Sequence, residues 1–379
     1  MKNISWRLVL VFAVLVAAII YILPSFKPTL WPHKQINLGL DLQGGMHLVL
    51  EVDTEKAVDS TTERISQEIR EQLKNERIRH VSVNRIEGSR ISVEVNKEES
   101  IDKLKALLDD EFRDLRELSK TETGGSYAVV MDIPDPDRDQ IKKLAVDQAL
   151  ETIRNRIDQF GVAEPDIRRQ GENRILIQLP GISDTQRAKD LIGKTALLEF
   201  KLVDDTGSVD AAVKGTIPPG RELLYQVEED PQTRRTTKTP FLLRKRSLLT
   251  GASLTDARVQ IDSQFNEPYV SINFDKKGAR IFERITADNV NNRLAIVLDN
   301  NVYSAPVIQE KIAGGQARIT GRFTTEEARD LAIVLRAGAL PAPVNILEER
   351  TVGPSLGADS IRKGLISMMI GGVLVIIFM

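Results

Sequence analysis

Residues Ile36 to Val52 read INLGLDLQGGMHLVLEV, and the assignment of the other elements depends on how this stretch folds. Met46, Leu48, Leu50 and Val52 alternate on one side while Val49 adds apolar surface to the other, the pattern of a strand largely buried in a sheet. Gly44 and Gly45 come immediately before it. Residues without a Cβ let the backbone bend sharply there or let another segment approach closely. Whatever sheet the chain builds, this strand is expected to found it.

Upstream, Leu8 to Leu23 is an uninterrupted apolar run preceded by Lys2 and Arg7, flanked by Trp6 and Tyr21 and ended by Pro24. It reads as a membrane helix over 1–24, with the basic residues holding the N-terminus in the cytoplasm. A cleaved signal peptide is the competing reading, although no A-x-A site follows the run. Residues 25–35, with Pro28, Pro32 and Trp31, form a short stiff linker. At the other end, Gly364 to Met379 is apolar again and breaks off without a polar flank, which suggests a second membrane helix beginning near 362 and a longer parent chain. Arg362 and Lys363 then fall on the outer side, against the positive-inside rule.

Between these runs there is ample chain for roughly two or three domains. Lys plus Arg number 52 against 54 for Asp plus Glu, a net charge of −2, so no global basic field points to nucleic acid. Cysteine is absent, which removes thiol chemistry, cysteine zinc sites and disulfides.

Along the chain, periodicity predicts a helix over 54–77, a hairpin over 81–95, a helix over 101–115 and a strand over 127–133. With the founding strand these have the order of a ferredoxin-like unit. A helix over 140–160 ending at Gly161 and a hairpin over 166–179 repeat the theme, and kinship of the two hairpins is about as plausible as chance. After Pro180-Gly181 a capping box at Ser183 to Gln186 opens a short helix, and a strand follows over 195–203. Residues 204–245 read as an irregular surface region, and strands and helices resume over 257–308. A capping box at Thr324 to Glu327 starts a helix ended by Gly338, and 344–352 is the last strand. The expected fold class is α+β. A ferredoxin-like base is drawn from 36–53, 126–180 and 322–352. Residues 54–125 are an insertion completing a second such unit and sharing the strand Met46 to Val52, and 181–321 form an inserted head.

Few residues suggest bond chemistry. Gly193-Lys194-Thr195 resembles the end of a phosphate-binding loop, but position 188 is Ala and a strand follows. Asp132, Asp135, Asp137 and Asp139 could hold calcium, or could cap the helix that follows, which is the favoured reading. His33, His47 and His80 stand apart from other metal-type ligands. Three glycine-centred stretches, 39–45, 248–254 and 314–321, contain no nucleophile with a base beside it. No catalytic, cofactor or metal residue is therefore expected.

Several of these segments, taken in order, resemble the SecD/SecF family of the RND superfamily: LGLDLQGG (Leu38 to Gly45), RNRIDQFGVAEPDIRRQGENRILIQLPG (Arg154 to Gly181), IGKTALLEF (Ile192 to Phe200), LLTGASLTDA (Leu248 to Ala257), GGQARITG (Gly314 to Gly321) and LRAGALPAPVNILEERTVGPSLG (Leu335 to Gly357). The resemblance implies an inner-membrane subunit of the Sec export machinery with a periplasmic base and head between membrane helices. Such a subunit uses the proton-motive force to help pull preprotein, through helices that are not in this chain. The implied partners are SecF, the channel proteins SecY, SecE and SecG, YajC, unfolded preprotein and the membrane. On this view Pro180, Gly181 and Gly321 are candidate hinges, or merely turns. Asp41, Gln43, Gly44 and Gly45 are a candidate joint or partner contact. A membrane-anchored binding or scaffold domain without transport activity is the alternative.

Overall fold

The computed structural model describes residues 39–78, 80–86, 88–96, 98–123, 126–229, 236–264, 266–321 and 323–378, with Trp6, Val9, Leu10, Ala13, Val14, Val16, Ala17 and Ile20 upstream. The expected linker and most of the expected first membrane helix lie outside the described residues. A one-turn helix α1 (Leu40–Gln43) leads into β1 (Gly45–Val52), then α2 (Thr54–Asn75), β2 (His80–Ile86), β3 (Arg90–Val95), α3 (Glu98–Glu111), β4 (Arg116–Thr123) and β5 (Ser126–Asp132). Next come α4 (Asp135–Phe160), β6 (Asp166–Gln170), β7 (Arg174–Pro180), α5 (Thr185–Gly193), β8 (Leu198–Leu202), α6 (Val209–Val213), β9 (Arg221–Glu229), β10 (Thr236–Arg244) and β11 (Leu249–Thr250). The chain continues through β12 (Leu254–Ile261), β13 (Pro268–Phe274), α7 (Lys276–Asp288), β14 (Leu294–Leu298), β15 (Asn301–Ser304), β16 (Gln316–Ile319), α8 (Thr325–Ala337), β17 (Val344–Val352) and α9 (Pro354–Phe378).

β1 lies inside an antiparallel sheet of order β17-β1-β7-β6, and both of its faces are largely buried. Helix α4 lays Ala145, Val146, Ala149, Ile153 and Ile157 on this sheet, and α5 adds Ala188 and Ile192. Each fully buried aliphatic side chain contributes about 1.5–3 kcal/mol, so this face suffices to fix α4 in place. Gly161 ends α4 with φ 89°, its N–H donating to the carbonyls of Ile157 and Asp158 as the sequence predicts. The helix starts at Asp135 rather than at 140, because proline is tolerated in a first turn and Asp135 and Asp137 suit the positive end of the helix dipole.

A second sheet, of order β2-β3-β5-β4, packs under α2 and α3 through Ile69, Leu73, Ile101 and Leu104. This corrects the expectation that Met46 to Val52 is shared, since β1 pairs with β17 and β7 and takes no part in the second sheet. The insertion completes its sheet with β4 instead. The sequence RELSKTET hides that strand because it sits on a sheet edge with both faces mostly exposed.

The remaining strands form two sheets, β10-β9-β15-β14-β8-β11 and β12-β13-β16. The last core lies between them with α7 and α8, and a smaller cluster on the other face of the six-stranded sheet takes in Phe241, Leu243, Val297 and Val302. Phe200 meets Phe274 and Phe282 edge-on at 5.6 and 5.8 Å in the middle of the last core. Residues 204–245, expected to be irregular, hold a helix and two strands among the described residues. β9 and β10 form a hairpin paired from Arg221 with Arg244 to Glu229 with Thr236. Phe241, Leu242 and Leu243 are buried while Thr236 to Thr239 are exposed, so only the inner end carries an apolar signal. Helix α8 also departs from the expected division: its stripe Ala328, Leu331, Ala332 and Leu335 joins this last core, whereas β17 joins the first sheet. The helix packed on the first sheet after β7 is α5, capped by Asp184 rather than Ser183.

Past β17, α9 exposes Leu365, Ile366, Met368, Ile370, Val373, Leu374 and Phe378. Among the described residues no helix is long and apolar enough to cross a membrane. Residues 362–378, expected to begin a second membrane helix, lie in the helix α9.

Candidate functional site

The founding glycines form a close junction of three segments. Gly45 pairs with Pro180 on one side and Val352 on the other, and the Gly181 N–H donates to the Gly44 carbonyl at 2.9 Å. Gly45 has φ +132°, and a Cβ there would lie 2.2 Å from the Leu179 carbonyl oxygen. That neighbour is backbone inside a sheet and cannot move aside. A Cβ on Gly181, at φ +70°, would come 3.1 Å from Gln43 Oε1. The candidate joint residues Gln43, Gly44 and Gly45 and the candidate hinge residues Pro180 and Gly181 are therefore one place, at the sheet end where α1 touches α9. Asp41 lies in α1, and its side chain is outside the described residues. Gly321 is elsewhere: a Cβ there would meet the ring of Phe323, which stacks on Tyr303.

The chain passes between the first core and the last at two other points. On the outward passage Ala188 and Ile192 belong to the first core, and Ala196 and Leu198 to the last. On the return, Leu335 is in the last core, and Leu340 and Ala342 are in the first. The Leu340 N–H donates to the Thr195 carbonyl at 2.8 Å, so the passages run side by side. Ala196 holds φ +60°, a left-handed conformation unfavourable for a residue with a Cβ. The Asp299 carboxylate fixes it by accepting the N–H groups of Ala196 and Leu197 at 3.0 and 2.9 Å.

Arg156 lies behind both passages. It projects from α4 and is fully buried. Its Nη1 donates to the carbonyls of Leu191 at 2.9 Å and Ile192 at 3.3 Å and to that of Lys194, and Nη2 donates to the Gly338 carbonyl at 3.0 Å. These acceptors are the exposed carbonyls and negative dipole ends of α5 and α8, which a cation satisfies. Burial pushes the guanidinium down to about 10, opposed by Asp299, so it stays charged at neutral pH. One buried cation thus pins two helix ends and both passages. Nearer the surface, Arg187 of α5 grips Asp330 of α8 with Nε–Oδ2 2.9 Å and Nη2–Oδ1 2.7 Å, and this partner raises the Arg187 pKa further.

Other sequence candidates have local roles. Asp132 accepts from Ser89 and Arg116, while Asp135 and Asp137 sit in the first turn of α4. Among the described residues no group of three His, Cys, Asp or Glu side chains could hold a metal. His47 meets Gln178 across β1 and β7 at 3.3 Å. Gly193 ends α5, and Lys194 and Thr195 offer their carbonyls to Arg156 and Leu340. The signal that could have revealed Arg156 is its place in the apolar stripe Ala149, Ile153, Ile157, Phe160, where a charge needs buried partners.

The chain has relatives. Family models match the SecD/SecF GG motif over residues 29–56, the N-terminal P1 domain of the protein translocase subunit SecDF over 146–205 and the SecDF P1 head subdomain over 222–342. The protein translocase subunit SecD of Syntrophobacter fumaroxidans is 49% identical over 100% of this chain and 73% of its own length. The chain belongs to the SecD family. The SecD of Calditerrivibrio nitroreducens is 52% identical over 91% of this chain and 67% of its own. A crystal structure of SecDF in a super-membrane-facing form aligns with 99% of this chain and 39% of its own at 32% identity and TM-score 0.51. Membership of the SecD family supports a role in protein export and ties the chain to the Sec protein-export machinery. Gly44 and Gly45 fall within the GG motif match and Pro180 and Gly181 within the P1 N-terminal match, while both α8 and the return passage fall within the head match.

Proposed function

We propose that the chain supplies the base and head of an auxiliary Sec subunit, in which the head captures unfolded preprotein and turns on the base to help pull it, using the proton-motive force. The first sheet is read as the ferredoxin-like base. It runs βαββαβ through β1, α4, β6, β7, α5 and β17, with the last strand beside the first. The observation that carries the reading is the two-passage junction. Two adjacent connections, stitched by Arg156 and Asp299, are the kind of joint that absorbs a rigid-body rotation in a few residues. The hinge is therefore assigned to 192–197 and 335–340 rather than to Pro180, Gly181 and Gly321.

The role is mechanical rather than enzymatic. SecF, SecY, SecE, SecG and YajC are the proposed partners, and the inner membrane with its periplasmic face is the proposed location. The exposed apolar side chains of α9 support a membrane seat for the end of the chain. These 379 residues contain no cysteine, so with any cysteine outside them replaced by serine the two introduced thiols are the only ones. In the full-length protein, Arg187→Cys and Asp330→Cys would be joined by a cleavable bismaleimide. Export of a reporter preprotein is expected to fall several-fold on cross-linking and to recover on cleavage. Undiminished export would overturn the turning head.

A further inference from the structure

Beside the junction opens a cleft of about 750 Å³ lined by Gln159, Phe160 and the four arginines Arg187, Arg258, Arg329 and Arg336. Its walls come from the end of α4 and from α5 on one side and from β12 and α8 on the other. Four arginines in one cleft do not reflect a basic protein, since the whole chain carries a net charge of −2. Two of them are well partnered: Arg187 is engaged by Asp330 and lies over the Phe160 ring, and Arg336 is held by Asp256 at 3.2 Å, by Gln159 and by the Ala257 carbonyl. Arg258 has only a share of Asp256, at 2.6 Å. Arg329 is exposed and has no hydrogen-bond or ion-pair partner among the described residues. Phe160, Val259, Ala332 and Ile333 give the same cleft an apolar floor.

We propose that this cleft binds an acidic, extended stretch of polypeptide, with its carboxylates on Arg258 and Arg329 and its backbone along β12. Planar guanidiniums that lack a full set of partners match carboxylates in two-point geometry. β12 pairs with β13 on one side and is an edge of its sheet. At Ala257 that edge is already taken, the N–H by the Asp256 carboxylate and the carbonyl by Arg336, and beyond it the strand offers donors and acceptors that a second extended chain satisfies and a phosphate headgroup does not. Ile261, exposed at the end of β12, extends the apolar surface along the same edge. Because the walls belong to both sides of the junction, any turn of the head opens or closes the cleft. Occupancy and head orientation are then coupled. The inference deepens the capture reading above and rests on it for its biological meaning.

The test is fluorescence anisotropy of a short labelled peptide alternating glutamate and valine, titrated with the whole chain. Its lysine counterpart and a version N-methylated on alternate backbone nitrogens serve as controls. The acidic peptide should bind and should weaken steeply with salt, and both controls should lose at least roughly tenfold in affinity. Arg258→Gln with Arg329→Gln, both exposed and away from the cores, should cost a similar factor. Equal binding of the acidic and lysine peptides, or unchanged binding by the double variant, overturns the proposal. So does binding to phosphatidylglycerol vesicles with none to the peptide, which would assign the arginines to a lipid surface. Lost peptide binding with normal export in cells would leave the cleft standing and remove its part in capture. Absent peptide binding with export still blocked by the 187–330 cross-link would remove the cleft and leave the turning head.

Discussion

Two residues show how single positions carry this architecture. Gly45 has no room for a methyl group, with the Leu179 carbonyl 2.2 Å from where a Cβ would lie and φ at +132°. Gly45→Ala should therefore destabilise the purified chain by about 2–4 kcal/mol, seen as a lower urea midpoint with an unchanged slope. Gly88, with open space around it, should tolerate alanine at only the cost of its own positive φ. At Arg156 a charge is buried among four carbonyls. Arg156→Met leaves those carbonyls without a donor and should cost about 3–5 kcal/mol in the same measurement. Arg156→Lys should recover only part of this, because one ammonium replaces a planar fork that reaches both passages.

At the scale of elements, legibility followed how much of an element is periodic and half-buried. Helix α8 was readable from its capping box, present as reciprocal bonds between Thr324 and Glu327, and from its stripe. β1 was readable because both faces are apolar. The hairpin β9–β10 was not, since its outer half alternates polar residues in solvent. At its inner end a polar cluster adds to the buried Phe241 and Leu243: Asp204 accepts from Arg221 Nε at 2.5 Å and from Thr206 Oγ1 at 2.6 Å. Arg221 and Thr206 hold the Asp204 carboxyl down to about 2. A carboxyl depressed on folding adds stability above its unfolded pKa, and that stability is lost as pH falls through the folded value. Acid unfolding followed by tryptophan-independent far-ultraviolet circular dichroism should thus show a loss between about pH 4 and pH 2, and Asp204→Asn should flatten that slope while lowering stability at pH 7.

For the whole molecule, the arrangement of cores decides what is able to move. The first and last cores communicate through adjacent passages, the buried Arg156 and the surface clamp Arg187–Asp330. The clamp is only partly buried, so its loss should cost little stability, about 1 kcal/mol. Asp330→Asn is nonetheless expected to broaden the distance distribution between spin labels on α4 and α7. An unchanged distribution would show that the clamp does not restrain the head.

The sequence alone determined the α+β class, most of the helices and strands and the close approach at Gly45, because periodicity, caps and glycine conformations are properties of neighbouring residues, and its motifs taken in order carried the resemblance to the family. It did not determine where the chain crosses between cores, which helix covers which sheet, or why a charge interrupts the stripe of α4. Those depend on partners far apart in the chain, such as Arg156 and Gly338, which are 182 positions apart. Whether a buried cation is satisfied is decided only when the ends of two distant helices arrive at it, and that is a property of the tertiary structure.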